Sequence, residues 1–246
     1  MKDKKADIRI YGELNDFLIK EKKGKMLTYH FSGKPTVKDV IESLGIPHPE
    51  VDLIIINGES VSFDKHLKNH DHVSVFPQFT SIDITPLIRL RPEIHIAHFI
   101  CDVHLKKLAK YLRLCGFDTV YGNDLSDDNI VDCSTMEHRI ILTRDIEMLK
   151  RRRVTYGYFV RNTQPKKQIE EVINRFNLKN QINPFSRCME CNHVLKAVDK
   201  DEVVDELEEG TKKHFQEYWG CQQCKKIYWQ GSHFKNMSQL ICDLKK

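Results

Sequence analysis

Asp102 at the end of HFICD, Asp127 and Asp128 in LSDD, and Asp145 at the end of IILTRD are carboxylates standing where short apolar runs give way to helical patterns. In an open parallel sheet, ligands bind beyond the carboxyl ends of the strands. Short aspartate side chains gathered there offer hard oxygen donors suited to Mg²⁺ or Mn²⁺. A pair of such ions supports phosphodiester hydrolysis by activating water, clamping the phosphoryl oxygens and stabilising the leaving oxyanion. Each aspartate also has a structural reading. Asp102 and Asp145 precede helices they could cap, and Asp127 and Asp128 could complement a helix dipole behind a Ser126 cap. Between those two, the choice leans to Asp128, because a Ser126 cap leaves Asp127 in the first helical position, where a dipole role suffices.

Cys188-x-x-Cys191 and Cys221-x-x-Cys224 form the second constellation. Two such pairs close a tetrahedral thiolate site with bonds of about 2.3 Å and no open position, so the expectation is a structural Zn²⁺. A redox pair or an iron–sulfur cluster is the alternative. Structural zinc contributes on the order of 10 kcal/mol of folding free energy, which a ribbon with few core positions needs. Cys101, Cys115, Cys133 and Cys242 lack ligand spacing. The first three lie on apolar elements and read as buried thiols.

Basic residues cluster around the acidic ones: Arg144, Lys150, Arg151, Arg152 and Arg153 flank Asp145, and Lys106, Lys107, Lys110 and Arg113 follow Asp102. The net charge of +4 is concentrated between 95 and 178. Clusters of this kind suit a phosphate backbone, or else a solvated helix face. After the second cysteine pair, IYWQGSHFKNM offers Tyr228 and Trp229 for stacking on bases, Lys225, Lys226 and Lys235 for phosphates, and His233 for phosphate or substrate. The competing reading has one aromatic packing the ribbon core.

The elements that must position these groups fall into three segments of the 246-residue chain. Residues 6–77 read as a small α+β unit: strands at DIRIYG and MLTYHF, a helix at TVKDVIESLG capped by Thr36 and stopped by Gly45, and strands at DLIIING and HVSVFP. That order is a β-grasp, or ubiquitin-like, arrangement. It is similar to the sulfur-carrier branch of that fold, but Pro77 stands where a Gly-Gly tail would be needed, which argues against sulfur transfer. Residues 78–94 read as a linker that partly packs. From 95 to 180, strands IAHFIC, DTVYG, RIILT and YGYFV alternate with helices, the pattern of a parallel sheet with right-handed crossovers. Residues 182–240 hold the cysteines, separated by the acidic run DKDEVVDELEEG, which reads as a loop.

The run FICDVHLKKLAKYLRLCGFDTVYGNDLSDDNIV…RIILTRD…LKRRR resembles the PIN-like ribonuclease family of the Mut-seven C-terminal domain. The signature D-x-x-L-x-x-L-A-x-x-L-R-x-x-G-x-D is read from Asp102 to Asp118. In that family a ubiquitin-like domain often precedes the nuclease domain and a zinc ribbon follows it. The resemblance implies an α/β chain: a PIN-like parallel-sheet domain, preceded by an α+β β-grasp domain and followed by a small zinc ribbon. It implies a metal-dependent nuclease acting on RNA, with acidic positions at Asp102, the 127/128 pair and Asp145. PIN domains generally carry a fourth acidic position shortly after the third, where this chain offers Glu147.

The function expected from the sequence is therefore metal-dependent hydrolysis of RNA by activated water. Asp102, Asp128 and Asp145 would hold Mg²⁺ or Mn²⁺, the basic residues the RNA, and the ubiquitin-like domain a possible protein partner. The alternative is a non-catalytic RNA-binding or ribosome-associated module that keeps the fold. Apolar runs are far shorter than the roughly 18 to 20 residues that cross a bilayer, and MKDKKADIRI carries no apolar stretch resembling a signal peptide. The expected location is cytoplasmic, with no membrane association.

Overall fold

A computed structural model describes residues 4–79, 84–91 and 97–245, without the side chains of Ser232 and His233. The chain begins with β1 (Lys4–Ile10) and β2 (Met26–Phe31), an antiparallel hairpin with Lys4 opposite Phe31. Then come α1 (Val37–Ser43), β3 (Val51–Ile56), β4 (Glu59–Ser60) and β5 (His72–Pro77). β5 runs parallel to β1 and antiparallel to β3, giving the order β2-β1-β5-β3-β4 of a β-grasp sheet. α1 forms where the sequence places it. Thr36 accepts the Asp39 N–H at 3.2 Å and donates its own N–H to the Asp39 carboxylate at 2.9 Å, a reciprocal cap. Val37, Val40 and Ile41 of α1 pack with Ile8, Ile54 and Val75 of the sheet.

The middle of the chain alternates strand and helix: β6 (Phe99–Cys101), α2 (Lys106–Leu114), β7 (Thr119–Val120), α3 (Asp127–Glu137), β8 (Ile140–Thr143), α4 (Ile146–Lys150), β9 (Gly157–Phe159) and α5 (Pro165–Arg175). β6 pairs with β7 and β8 with β9, both parallel. Every residue of β6 and β8 is buried, as expected of parallel strands covered on both faces. The outer part of the expected strand IAHFIC, Ile96, lies outside the described residues.

The remainder holds β10 (Leu195–Val198), α6 (Lys200–Val203), α7 (Glu209–His214), β11 (Tyr218–Cys221), β12 (Ile227–Tyr228) and α8 (Ser232–Lys245). The three strands form an antiparallel sheet in the order β10-β11-β12. The acidic run is not a plain loop. It folds into α6 and a short 3₁₀ turn because Val203 and Leu207 pack on Tyr218 of β11.

The described residues form two compact units, one holding those up to 91 with Ser134–Phe159, the other 97–133 with 160 onward. In the first, the fully buried Glu50 accepts the Phe159 N–H at 2.6 Å, and His48 lies 2.7 Å from both the Glu42 carboxylate and the Val154 carbonyl. The described part of the 78–94 linker packs here, where Leu90 donates its N–H to the Asp52 carbonyl at 3.1 Å and Arg89 pairs with the Asp52 carboxylate at 3.4 Å. In the second unit, the chain leading into the cysteine ribbon is fastened to the end of α2. Asn183 and Phe185 donate their N–H groups to the Cys115 and Leu114 carbonyls, both at 3.0 Å. Gly116 sits at φ +92°, and a side chain there would lie 2.2 Å from the Asn183 carbonyl oxygen. Among the described residues no helix is long and apolar enough to cross a membrane.

Candidate functional site

Asp102 follows the last residue of β6 and is 5 % exposed. Its carbonyl accepts the Leu105 N–H at 2.9 Å, but its carboxylate makes no hydrogen bond to the start of the 3₁₀ turn Val103–Leu105. The capping role that sequence allowed for Asp102 is therefore not what fixes it. Asp145 follows β8 by two residues and does cap. Its Oδ1 accepts the Glu147 N–H at 2.8 Å while its own N–H is held by the Thr143 hydroxyl at 2.9 Å. The structural and the catalytic reading thus coexist at Asp145, since its cap uses one carboxylate oxygen. Asp127 and Asp128 occupy the first turn of α3, behind the expected cap: Ser126 Oγ accepts the Asn129 N–H at 3.2 Å and donates to the Asn129 side chain at 2.7 Å. Asp127 is half-buried and Asp128 exposed. Glu147 is exposed and turned to Lys150, 2.9 Å from its ammonium.

Asp102 belongs to a tightly organised neighbourhood. Burial pushes the thiol of the adjoining Cys101 well above its ordinary range, so it stays protonated. Burial also raises the Tyr121 phenol, with Cys101 and Asp102 adding to the effect. Cys115, at the end of α2, is pushed up to about 12 by burial. Cys101 and Cys115 are the buried thiols expected, whereas Cys133 is only half-buried and Cys242 exposed.

The four cysteines converge. The sulfurs of Cys188, Cys191, Cys221 and Cys224 all lie within 4.8 Å of one another, with Cys188–Cys224 at 3.5 Å and Cys191–Cys221 at 3.3 Å. A tetrahedron with bonds of about 2.3 Å has edges of about 3.8 Å, so the group fits one metal ion. Two matching turns bring this about. Cys188 and Cys221 each donate N–H to the carbonyl five residues on, His193 at 2.8 Å and Lys226 at 2.9 Å, and each accepts the N–H four residues on. Asn192 and Lys225 take the left-handed conformation that closes these turns, at φ 72° and 61°. Tyr228 locks the group from the side, its hydroxyl 3.1 Å from Cys188 Sγ and accepting the Met189 N–H at 3.2 Å. Tyr228 is thus the aromatic that serves the ribbon, and Trp229, 37 % exposed, is the one left at the surface.

Residues 97–241 match the family described as Mut7-C RNAse domain, and residues 3–83 match Mut7-C ubiquitin. The chain belongs to the Mut7-C RNAse domain family. No curated protein and no solved structure matches it. The Mut7-C segment runs from the start of β6 through the cysteine group, so nuclease-type α/β elements and ribbon form one family unit.

The geometry explains much of the signature from Asp102 to Asp118. Leu105 at the end of the preceding turn and Leu108, Ala109 and Leu112 of α2 are buried, and Gly116 permits the close approach of Asn183. Asp118 accepts from the Asn192 amide at 2.9 Å and pairs with Arg187 at 3.4 Å, while Asn192 also accepts the Thr119 N–H at 3.0 Å. Sequence reasoning missed Asp118, Asn192 and Arg187. Their signal was the G-x-D ending of the signature, which turns out to be the ribbon's anchorage.

Arg113 needs correction. It was expected on RNA, but it is 3 % exposed and donates to the carbonyls of Thr119 at 2.9 Å, Met189 at 3.1 Å and Glu190 at 2.6 Å. It ties α2 to the ribbon and cannot meet a phosphate. Lys106, Arg144, Arg152 and Arg153 are exposed, and Arg144 stacks over Phe159 at 5.7 Å. Arg151 is half-buried, and so is Lys150, which is paired with Glu147. His233 is the second residue of α8, and its side chain lies outside the described residues.

Proposed function

We propose that this chain is a metal-dependent ribonuclease, hydrolysing RNA phosphodiester bonds at a site built on Asp102, Asp145 and one of Asp127 and Asp128. The observation that carries the reading is Asp102, a buried carboxylate at the carboxyl end of a parallel strand that does not cap the turn after it. An RNase family match over 97–241 supports the substrate class. The donor set is all-oxygen, which fits Mg²⁺ or Mn²⁺ and disfavours a soft metal. Such an ion, when bound, polarises the phosphoryl oxygen and lowers the pKa of water. Asp102 contributes rigidity, since it is buried directly after β6. Asp145 contributes orientation: the Glu147 N–H holds Oδ1, while Oδ2 takes no hydrogen bond among the described residues. Arg144, Arg152, Arg153 and Lys106 hold the RNA backbone, and Trp229 stacks on a base. The four thiolates of the ribbon hold Zn²⁺ structurally, with no open position for catalysis. The N-terminal domain also serves to recruit a protein partner, and the protein acts in the cytoplasm.

Asp145→Asn keeps a cap acceptor for the Glu147 N–H but removes the charge. It is expected to lower metal-dependent RNA cleavage by at least a hundredfold and to leave RNA affinity within about twofold, in line with the several kcal/mol that metal-ligand charge supplies to such reactions. Cleavage at the wild-type rate by a folded Asp145→Asn protein would remove the catalytic assignment.

A further inference from the structure

Within the first unit, α1, the segment before β3, the linker and the loop between α4 and β9 enclose a cleft of about 220 Å³. Lys38, Arg91 and Arg152 line it beside His48, with Phe63 and Leu90 as apolar walls, and no acidic side chain among the described residues lines it. Arg91 is fixed: it donates to the Val51 carbonyl at 2.8 Å and to the Pro49 carbonyl. Lys38 and Arg152 make no side-chain hydrogen bond or ion pair among the described residues, and Arg152 is exposed. Three cations therefore surround one opening, and two of them, contributed by different segments of the chain, are uncommitted. Charge of one sign lining a concave site focuses field and selects the opposite sign in its ligand. The apolar walls leave room for a sugar beside the charge, and the cleft adjoins the Lys150–Arg153 run that leads to Asp145.

We propose that this cleft binds a phosphate group of RNA, with Lys38 from the ubiquitin-like segment and Arg152 from the nuclease segment as its phosphate-contacting side chains. The inference rests on the RNA reading above and adds to it that the N-terminal domain is part of the RNA-binding surface. Lys supplies a mobile point charge and Arg a planar donor fork, a pairing suited to the oxygens of one phosphate.

The test measures binding of a labelled single-stranded oligoribonucleotide to the full chain without added Mg²⁺ or Mn²⁺, in two arms, one RNA carrying a 5′-phosphate and the other a 5′-hydroxyl. Lys38→Gln and Arg152→Gln are each expected to weaken binding about three- to tenfold at low salt and to reduce the log–log salt slope by about 0.7, the value per single-strand phosphate contact. Equal losses in both arms assign the cleft to an internal phosphate, and losses confined to the 5′-phosphate arm assign it to the terminus. Recovery of affinity by Lys38→Arg separates lost charge from lost fold. Unchanged affinity and slope in both arms overturn the proposal, as does competition by an acidic peptide but not by RNA. If binding depends on Lys38 while the wild-type chain fails to cleave RNA with Mn²⁺, the cleft stands and the nuclease reading falls.

Discussion

Arg113 shows how a basic residue next to a carboxylate can serve structure alone. Sequence placed it among phosphate-facing cations because it follows Asp102 in a run of lysines. The guanidinium instead reaches three carbonyls on two segments. Burial lowers the pKa of its guanidinium, and the nearby cysteines and the Glu190 carboxylate oppose that shift. Arg113→Met keeps the packing volume but orphans the acceptors, and it is expected to destabilise the fold by about 2 to 4 kcal/mol. Urea denaturation checks this, with no change expected in the salt dependence of RNA binding. Among the acidic residues the sequence was legible to a different degree at each. Asp145 was readable both as cap and as ligand, and it does cap. Asp102 offered the same pair of readings, and it is buried without a capping hydrogen bond. Burial was invisible to the sequence because it depends on tertiary packing, not on local pattern.

At the scale of elements, the regular periodicities were read well. α1, α2, α3 and α5 and the strands around them lie within a few residues of where apolar spacing, caps and glycines put them. The acidic run at residues 199–210 reads as a loop in sequence but does not stay one. Its seven carboxylates hide two apolar anchors, Val203 and Leu207, that meet Tyr218. α8 had a legible stripe, with Phe234, Met237, Leu240, Ile241 and Leu244 at helical spacing. It was passed over because its first residues were read for chemistry. The ribbon has little core of its own: its sheet is three short strands with a small core cluster. One equivalent of zinc per chain is expected by elemental analysis. Cys191→Ser is expected to lower that content and melt the ribbon, consistent with the order of 10 kcal/mol that a thiolate zinc site supplies. Loss of β-signal with zinc retained would contradict the four-thiolate assignment.

For the whole molecule, two segments that look separate in sequence prove to be packed together. Glu50 and His48 bond to β9 and to the loop before it, so the β-grasp sheet and Ser134–Phe159 belong to one compact unit. Nothing in the local pattern around Glu50 announced this, because a single buried polar residue carries no periodicity. It explains how Lys38 and Arg152 come to line one cleft. The central claim concerns the chemistry at the strand ends, and labelled single-stranded and structured RNAs incubated with the full chain, with and without Mn²⁺, test it most directly. Cleavage that requires Mn²⁺, leaves 5′-phosphate ends and disappears in Asp102→Asn is the result expected. Cleavage independent of added metal, or cleavage that persists in a folded Asp102→Asn protein, would contradict it.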